Sequence, residues 1–193
     1  MDRYVAFLRG INVGGHKLIK METLRQIFES LGFKEVSTYI QSGNVIFASG
    51  AKKPGALKKK IERTLKREWG HEVIVALLPA SELAAIVQAD PFKGIEAGKD
   101  VALYVAFLCG EATLKPKVPL ALPKDYVELI GFQEHAAFIV ARRKPNGQHG
   151  FPSDFIEKQF GVSGTIRNIN TVTKLAALSS ASQSKTTKSA RGA

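Results

Sequence analysis

Apolar and polar positions in the first hundred residues follow two periods, one typical of strands and one typical of helices. Four apolar or β-branched runs predict strands: residues 3–9, 34–40, 44–49 and 72–78. Apolar residues at helical spacing predict one helix that ends before Gly32 and a second over about 55–69. The resulting order, βαββαβ, is that of a ferredoxin-like sandwich, so we expect an α+β first half.

The second hundred residues are less regular. Strands are predicted over 101–108, about 126–131 and 136–142, and helices over 152–160 and 168–178. Three prolines exclude a long regular helix between the first two of these strands: Pro116, Pro119 and Pro123. We therefore expect a second, less regular α+β half.

A short repeat connects the two halves. The sequence YVAFL occurs at residues 4–8 and again at 104–108, each time followed by one residue and a glycine. This identity indicates two related parts of about one hundred residues, a typical domain size. We predict a ferredoxin-like α+β domain over 1–95, a related second α+β domain over 96–178, and a disordered basic tail over 179–193.

Composition indicates a soluble globular protein rather than a disordered or membrane-spanning one. The chain has 193 residues, of which 45% are hydrophobic and 23% charged. We find no apolar run near the ~20 residues of a membrane span, and no secretory signal at the start. The single cysteine, Cys109, fits a reducing compartment, and the four histidines lack metal-ligand spacing. We predict a cytoplasmic location, no membrane partner and no structural metal.

The net charge of +11 is concentrated in a few places. Residues 52–68 carry +6, the run 142–144 carries +3 and the tail 179–193 carries +3. Such patches can attract nucleic acid or another polyanion, although solvated surface faces explain them more simply. We therefore treat nucleic acid as a possible partner that is not favoured.

The connection RGINVGGHKLIKM, residues 9–21, has the glycine spacing of a phosphate-binding P-loop. The motif fails, because His16 stands where the lysine belongs and Lys17 where the hydroxyl belongs. What remains is a long, basic, glycine-rich connection to a helix without a capping residue, so its first amides could hold an anion. Solvated lysines at a simple glycine turn are the structural alternative.

Two further segments are candidates for the same site. In the predicted topology the first strand ends beside the 41–44 hairpin, which should bring Gln41, Ser42 and Asn44 within roughly ten ångströms of Arg9 and Asn12. No histidine or carboxylate is placed to activate Ser42, so a simple turn is favoured over a catalytic serine. The third segment is TIRNINTVTKL near the C-terminus. It holds the start of a predicted helix with several polar and basic residues, which ordinary capping would also explain: Arg167, Asn168, Asn170, Thr171 and Lys174.

Together these segments resemble an uncharacterised, mostly bacterial family, the domain of unknown function numbered 1697. The resemblance rests on LRGINVGGHKLIKM with a helix ending in LGF, then TYIQSGNVIF, then TIRNINTVTKL, and it spans about residues 3–178. It implies a two-part α+β protein whose first part is ferredoxin-like, and no established activity. The family pattern often has an aromatic residue where Ile169 stands.

The leading hypothesis is a protein that binds a small phosphate- or carboxylate-bearing ligand at a site shared by the two halves. The predicted ligand-binding residues are Arg9, Asn12, Gly14, Gly15, Lys20, Gln41, Ser42, Asn44, Arg167, Asn168, Thr171 and Lys174. One alternative is a nucleic-acid-binding module that uses the basic 52–67 helix and the tail. Another is that the motifs are purely structural and join the two halves. The sequence identifies no catalytic residue, cofactor or oligomeric state, and leaves enzymatic activity open.

Overall fold

The computed structural model describes residues 1–15, 17–151 and 153–181. Over these residues the chain forms nine strands in two antiparallel sheets and five α-helices, which confirms the α+β prediction. The chain divides into two compact units. Among the described residues, the first unit comprises Met1–Gln88 and the chain from Thr173 to Ala181, and the second comprises Ala89–Val172.

The first unit has the predicted βαββαβ order, followed by a third helix. Its elements are β1 (Asp2–Leu8), α1 (Met21–Ser30), β2 (Lys34–Tyr39), β3 (Asn44–Ser49), α2 (Pro54–Trp69), β4 (Val75–Pro79) and α3 (Ala80–Gln88). The sheet order is β2-β3-β1-β4 with every neighbouring pair antiparallel. Strands β1 and β2 therefore run parallel with β3 between them, as the predicted topology requires.

The core of the first unit is built from the apolar stripes of two helices against one face of its sheet. Buried Leu24 and Phe28 of α1 and Ile61 of α2 share one cluster with Phe47 of β3. The Phe47 ring stacks on Phe33 with centroids 4.3 Å apart. Helix α3 contacts β1 and β4. All six residues of β3 are buried, so this hairpin strand is a central part of the core and not an edge strand.

The second unit has a five-stranded sheet. Its elements are β5 (Val101–Leu108), β6 (Leu120–Leu122), β7 (Val127–Gln133), β8 (Ala136–Arg142), α4 (Ser153–Phe160) and β9 (Gly164–Asn168), and α5 (Ile169–Ala181) starts within it. The sheet order is β6-β7-β8-β5-β9. Buried Phe155, Ile156 and Phe160 of α4 cover one face. Residues 111–125, which hold the three prolines and are here called the proline segment, form β6 and a 3-10 turn at Pro123–Asp125, in agreement with the excluded long helix.

Strand β9 is a difference from the sequence prediction, which assigned Asn168 to a helix and had no strand before it. Its five residues pair with β5 at the sheet edge, and Asn168 is the last of them. The signal was weak because the strand is short and its two buried positions hold polar residues, Thr165 and Arg167, instead of apolar ones.

The two units repeat one strand arrangement. In the first, β1 lies between β3 and β4; in the second, β5 lies between β8 and β9. The Leu8 amide donates to the Gly43 carbonyl (2.8 Å), and the Leu108 amide donates to the His135 carbonyl (2.9 Å). The two YVAFL copies therefore occupy equivalent central strands. The second unit has no counterpart of α1 in the described residues between Leu108 and β7, where the proline segment takes its place.

The boundaries of the two units do not follow the predicted domain boundaries throughout. Helix α5 continues to Ala181 and so includes the first three residues of the predicted tail, of which Ser179 is buried. The rest of the predicted disordered tail, residues 182–193, lies outside the described residues, as does Pro152 of the predicted 152–160 helix. Within the described part of the chain, no helix has the length and apolar character that a membrane span requires.

Replacement of Gly43 by alanine should destabilise the first unit. Gly43 has φ +76°, and a Cβ there would lie 2.6 Å from Ile11 Cδ1 and 2.9 Å from Leu8 Cβ. We expect Gly43→Ala to lower the free energy of unfolding by about 2–4 kcal/mol, through backbone strain and overpacking together. Urea denaturation of the purified variant measures the change.

The matched control is Gly32→Ala, since Gly32 has φ +82° but no described atom within 4 Å of its added Cβ. Only backbone strain applies there, so a loss of about 1 kcal/mol is expected. Equal losses in the two variants would show that the contact between Ile11 and Gly43 contributes nothing.

Candidate functional site

The segment from Arg9 to Lys20, here called the anchored loop, lies against the turn between β2 and β3. Its residue Ile11 is buried and packs on Gly43. The Asn12 side chain reaches the Gln41 carbonyl at 2.9 Å. The predicted proximity of the first strand's end to the 41–44 hairpin is therefore present in the first unit.

Asn12 holds the anchored loop in place. Its Nδ2 donates to the carbonyls of Ile19 (3.1 Å) and Gln41, and its Oδ1 accepts from the Ile19 amide (2.8 Å). Its own amide donates to the Lys17 carbonyl at 3.1 Å, and its backbone is left-handed with φ 54°. Both amide hydrogens are used within the chain, so these bonds give Asn12 a structural role at this site.

Asn44 stabilises the turn between β2 and β3 by similar hydrogen bonds. It is fully buried, and its Nδ2 donates to the Tyr39 carbonyl (3.0 Å) and to Ser42 Oγ (2.9 Å). Ser42 is half-buried. The polar residues predicted to orient a ligand therefore also fix the backbone on which they stand.

The exposed part of the anchored loop leads into an uncapped helix. Gly14, Gly15 and Lys20 are exposed, and Arg9 is half-buried. Lys20 is the N-cap of α1 and makes no side-chain capping hydrogen bond. Because the first amides of a helix have no partner within the helix, this end of α1 presents donors next to an exposed lysine.

Glu22 is the only acidic residue in the first turn of α1, and its carboxylate is paired with Arg25. Arg25 donates to both of its carboxylate oxygens, at 2.5 and 3.2 Å. These hydrogen bonds lower the pKa of the Glu22 carboxyl. The neighbouring guanidinium offsets the charge that would otherwise repel an anion at this helix end.

In the second unit, Arg167 is a buried cation on β9. Its Nη1 donates to Thr165 Oγ1 and to the Ile166 carbonyl, both at 2.8 Å. Burial lowers the pKa of its guanidinium to about 10, and the smaller electrostatic effect of Cys109 raises this pKa. An unfolded arginine has a higher pKa, so burial of the charged form costs folding free energy, and this cost falls as the pH rises above about 10.

The remaining predicted residues lie around the start of α5. Asn168 Oδ1 accepts from the Asn170 amide at 2.9 Å, which is the capping role predicted for one of these asparagines. Thr171 is half-buried in the first turn, and Lys174 is exposed in the next. The contribution of these residues and of Arg167 to a shared ligand site stays a prediction.

A second basic feature of the first unit lies between α2 and the end of α1. A cavity of about 480 Å³, here called the basic groove, is lined by Ser30, Leu31, Lys59, Lys60, Arg63 and Arg67 among others. Lys60 is fixed by a 2.9 Å hydrogen bond to the Leu31 carbonyl and lies 5.6 Å from the Phe33 ring centroid. None of the described lining residues is acidic.

The sequence analysis missed a cavity of about 560 Å³ in the second unit, here called the hairpin cavity. It is bordered by the end of β5, the first residues of the proline segment and the β7–β8 hairpin. The YVAFL repeat could have indicated this cavity, because the end of each copy lies beside a hairpin turn. A site was predicted only around the end of the first copy.

Comparisons with known proteins agree with the motifs. A model of the family described as "Protein of unknown function (DUF1697)" matches residues 1–137, which include the first two motifs of the predicted resemblance. The chain is similar to the solved structure of conserved bacterial protein SP0830 from Streptococcus pneumoniae, with a TM-score of 0.63 and 23% identity over 91% of this chain and 97% of that one. At this identity the likeness supports the fold alone. A search of curated proteins found no match.

Removal of the Asn12 side chain should destabilise the first unit. Asn12→Ala leaves the Ile19 amide and the carbonyls of Ile19 and Gln41 without their partner, so we expect a loss of about 2–3 kcal/mol in unfolding free energy. Chemical denaturation measures it.

Asn146→Ala is the control, since Asn146 accepts one hydrogen bond from the Gln148 amide in an exposed turn. We expect that variant to lose less than about 1 kcal/mol. If Asn12→Ala were as stable as Asn146→Ala, the anchored loop would not depend on the Asn12 side chain.

Proposed function

The chain belongs to the DUF1697 family, whose description assigns no activity, and from the geometry of its own residues we propose that it binds a small phosphate- or carboxylate-bearing ligand. The ligand lies at the end of the first sheet, where the anchored loop leads into α1. The observation that carries this proposal is the uncapped N-terminus of α1 beside the exposed Lys20.

The anchored loop supports this role because it is held in place without a ligand. Asn12, Ile11 and Gly43 fix its course, so little chain entropy is lost when a ligand binds. Gly14 and Gly15 have positive φ (58° and 77°) and carry no side chain to keep a ligand from the backbone. Lys20 and Arg9 supply positive charge, and the Ser42 hydroxyl can orient an oxygen atom of the ligand.

Nucleic-acid binding is the second candidate function, and the basic groove favours it. Lys59, Arg63 and Arg67 recur every four residues along α2, about 6 Å apart along the helix axis. Of the two carboxylates of α2, Glu62 lies 3.7 Å from Lys58, away from the groove lining, whereas Glu68 pairs with Arg67 of the groove at 2.8 Å and offsets its charge. No described ion pair involves Lys59 or Arg63, so both cations are available to phosphate groups.

Loss of Lys20 or Arg9 should weaken anion binding. Thermal unfolding of the full chain is followed with inorganic phosphate, pyrophosphate, nucleotides and dicarboxylates as probes, and the most stabilising probe is titrated. We expect Lys20→Ala and Arg9→Ala each to raise its Kd about tenfold, the effect of losing one charge-assisted contact.

Lys34→Ala is the control, because Lys34 is an exposed lysine of the same unit on β2. It should leave the Kd unchanged. Absence of stabilisation by any probe, or equal losses in all three variants, would contradict the proposal and favour a purely structural role for the motifs.

The second candidate predicts a salt-dependent affinity that belongs to α2. For single-stranded and double-stranded nucleic acid, the slope of log K against log salt should fall by about 2 in Lys59→Ala/Arg63→Ala, roughly one per lost phosphate contact. Fluorescence anisotropy at several salt concentrations measures the slope.

The control is Lys93→Ala/Lys99→Ala, which removes the same charge from two exposed lysines of the second unit. It should leave the slope unchanged. Binding that is undetectable, insensitive to salt, or equally reduced by both double variants would remove this candidate.

A further inference from the structure

We propose that the second unit has a binding site of its own, the hairpin cavity, and that its ligand is a small organic cation in which an amine is joined to an apolar or aromatic group. This inference does not rest on the anion site of the first unit, because it concerns other residues and a ligand of opposite charge.

The hairpin cavity occupies the position in the second unit that the anchored loop occupies in the first. The register Phe7↔Asn44 in β1 and β3 corresponds to Phe107↔Ala136 in β5 and β8. The residue before each hairpin partner, Gly43 or His135, accepts the amide hydrogen of the last YVAFL residue. In the first unit this end of the sheet is covered by the anchored loop, whereas in the second a cavity lies beside it.

The size and floor of the hairpin cavity fit a small molecule. Its volume of about 560 Å³ is within the usual range for ligand pockets, roughly 300–1,000 Å³. Leu108, Ala112 and Phe132 supply apolar lining. The Phe132 ring is fixed by an edge contact with buried Phe160, centroids 5.4 Å apart. A fixed aromatic ring offers a surface to an apolar group and to the cation attached to it.

The charges at the rim select the sign of the ligand. Glu111 and Glu134 line the cavity, and Lys115 is the only lysine or arginine among its described lining residues. Both glutamates are exposed, and no described ion pair involves either of them. An anion would meet two carboxylates and one ammonium group, whereas an amine can pair with a carboxylate of the rim while its apolar part lies on the Phe132 ring.

Because the protein is basic overall, a preference for an amine over a carboxylate would indicate a local binding site. At a net charge of +11, long-range electrostatics repels cations from the surface and attracts anions. Selective binding of an amine over the matching carboxylate therefore requires a local site, because non-specific attraction gives the opposite order.

The test is an NMR titration of the full chain with 2-phenylethylamine, with 3-phenylpropanoate and 2-phenylethanol as charge-reversed and neutral controls. We expect saturable binding of the amine, with amide shift changes centred on the proline segment and the β7–β8 hairpin. The two control compounds should bind at least tenfold more weakly.

Variants assign the effect to the cavity rim. Glu111→Gln/Glu134→Gln should raise the Kd of the amine at least tenfold with an otherwise native spectrum. Glu96→Gln, which changes an exposed glutamate of the same unit away from the cavity lining, should leave it unchanged, as should Lys20→Ala in the first unit. The inference is overturned if the amine shows no saturable binding, if the carboxylate binds as tightly, or if the double variant binds like the unaltered protein.

Discussion

The hydrogen bond from the Leu8 amide to the Gly43 carbonyl is the constraint on which the predicted site depends. It ties the last residue of the central strand to the turn of the neighbouring hairpin, and the next amide, that of Arg9, still bonds to Ile74 beside β4. The chain therefore leaves the sheet at a fixed point and in a fixed direction. Gly43 leaves room for Ile11 there, and Asn12 then closes the loop onto Ile19. These contacts set the course of the anchored loop and leave Gly14, Gly15 and Lys20 exposed on it.

The second unit has the equivalent hydrogen bond at the end of its central strand, but the chain that follows it takes a different course. The Leu108 amide bonds to the hairpin carbonyl of His135, and the Cys109 amide bonds to Ser163 beside β9, as in the first unit. The chain that follows is rich in proline, which cannot donate the amide hydrogens of a helix. Among the described residues, a helix therefore follows the central strand of the first sheet, and none lies between β5 and β6 of the second. Equivalent backbone positions thus carry different chemistry because the connections that follow them differ.

Local patterns in the sequence were sufficient for most of the elements and for the proximity of the end of β1 to the 41–44 hairpin. Leu24, Phe28, Ile61 and Leu65 lie on periodic apolar faces, and all four are buried, because a helix that packs on a sheet must bury one stripe. The end of β1 and the hairpin could be placed together because the βαββαβ order fixes which strands are neighbours. The YVAFL repeat predicted two related halves, and each copy lies in a central strand of its sheet.

What the sequence could not supply was the environment of individual polar side chains. Asn12 and Asn44 were predicted to orient a ligand, and their bonds to carbonyls of Ile19, Gln41 and Tyr39 depend on how distant segments meet. Arg167 was predicted to bind charge, but whether an arginine on a short strand faces solvent or the interior is decided by packing that no local pattern encodes. Polar residue types look alike in a sequence whether they hold the backbone or present themselves to a ligand.

The two proposed anion-binding sites of the first unit differ in the distance over which they attract a ligand. The salt dependence of the affinity therefore distinguishes them. The basic groove acts through exposed charges on α2, and ions screen such attraction beyond about 10 Å at 0.1 M ionic strength. In the proposed α1 site, the donors are amides that must touch the ligand, together with the charges of Lys20 and Arg9. Contact hydrogen bonds of this kind depend on the shape and acceptor geometry of the anion, which salt does not alter. Binding that persists at high salt and differs between anions of equal charge is therefore expected for the α1 site. Binding that is lost at high salt and does not differ between such anions is expected for the basic groove.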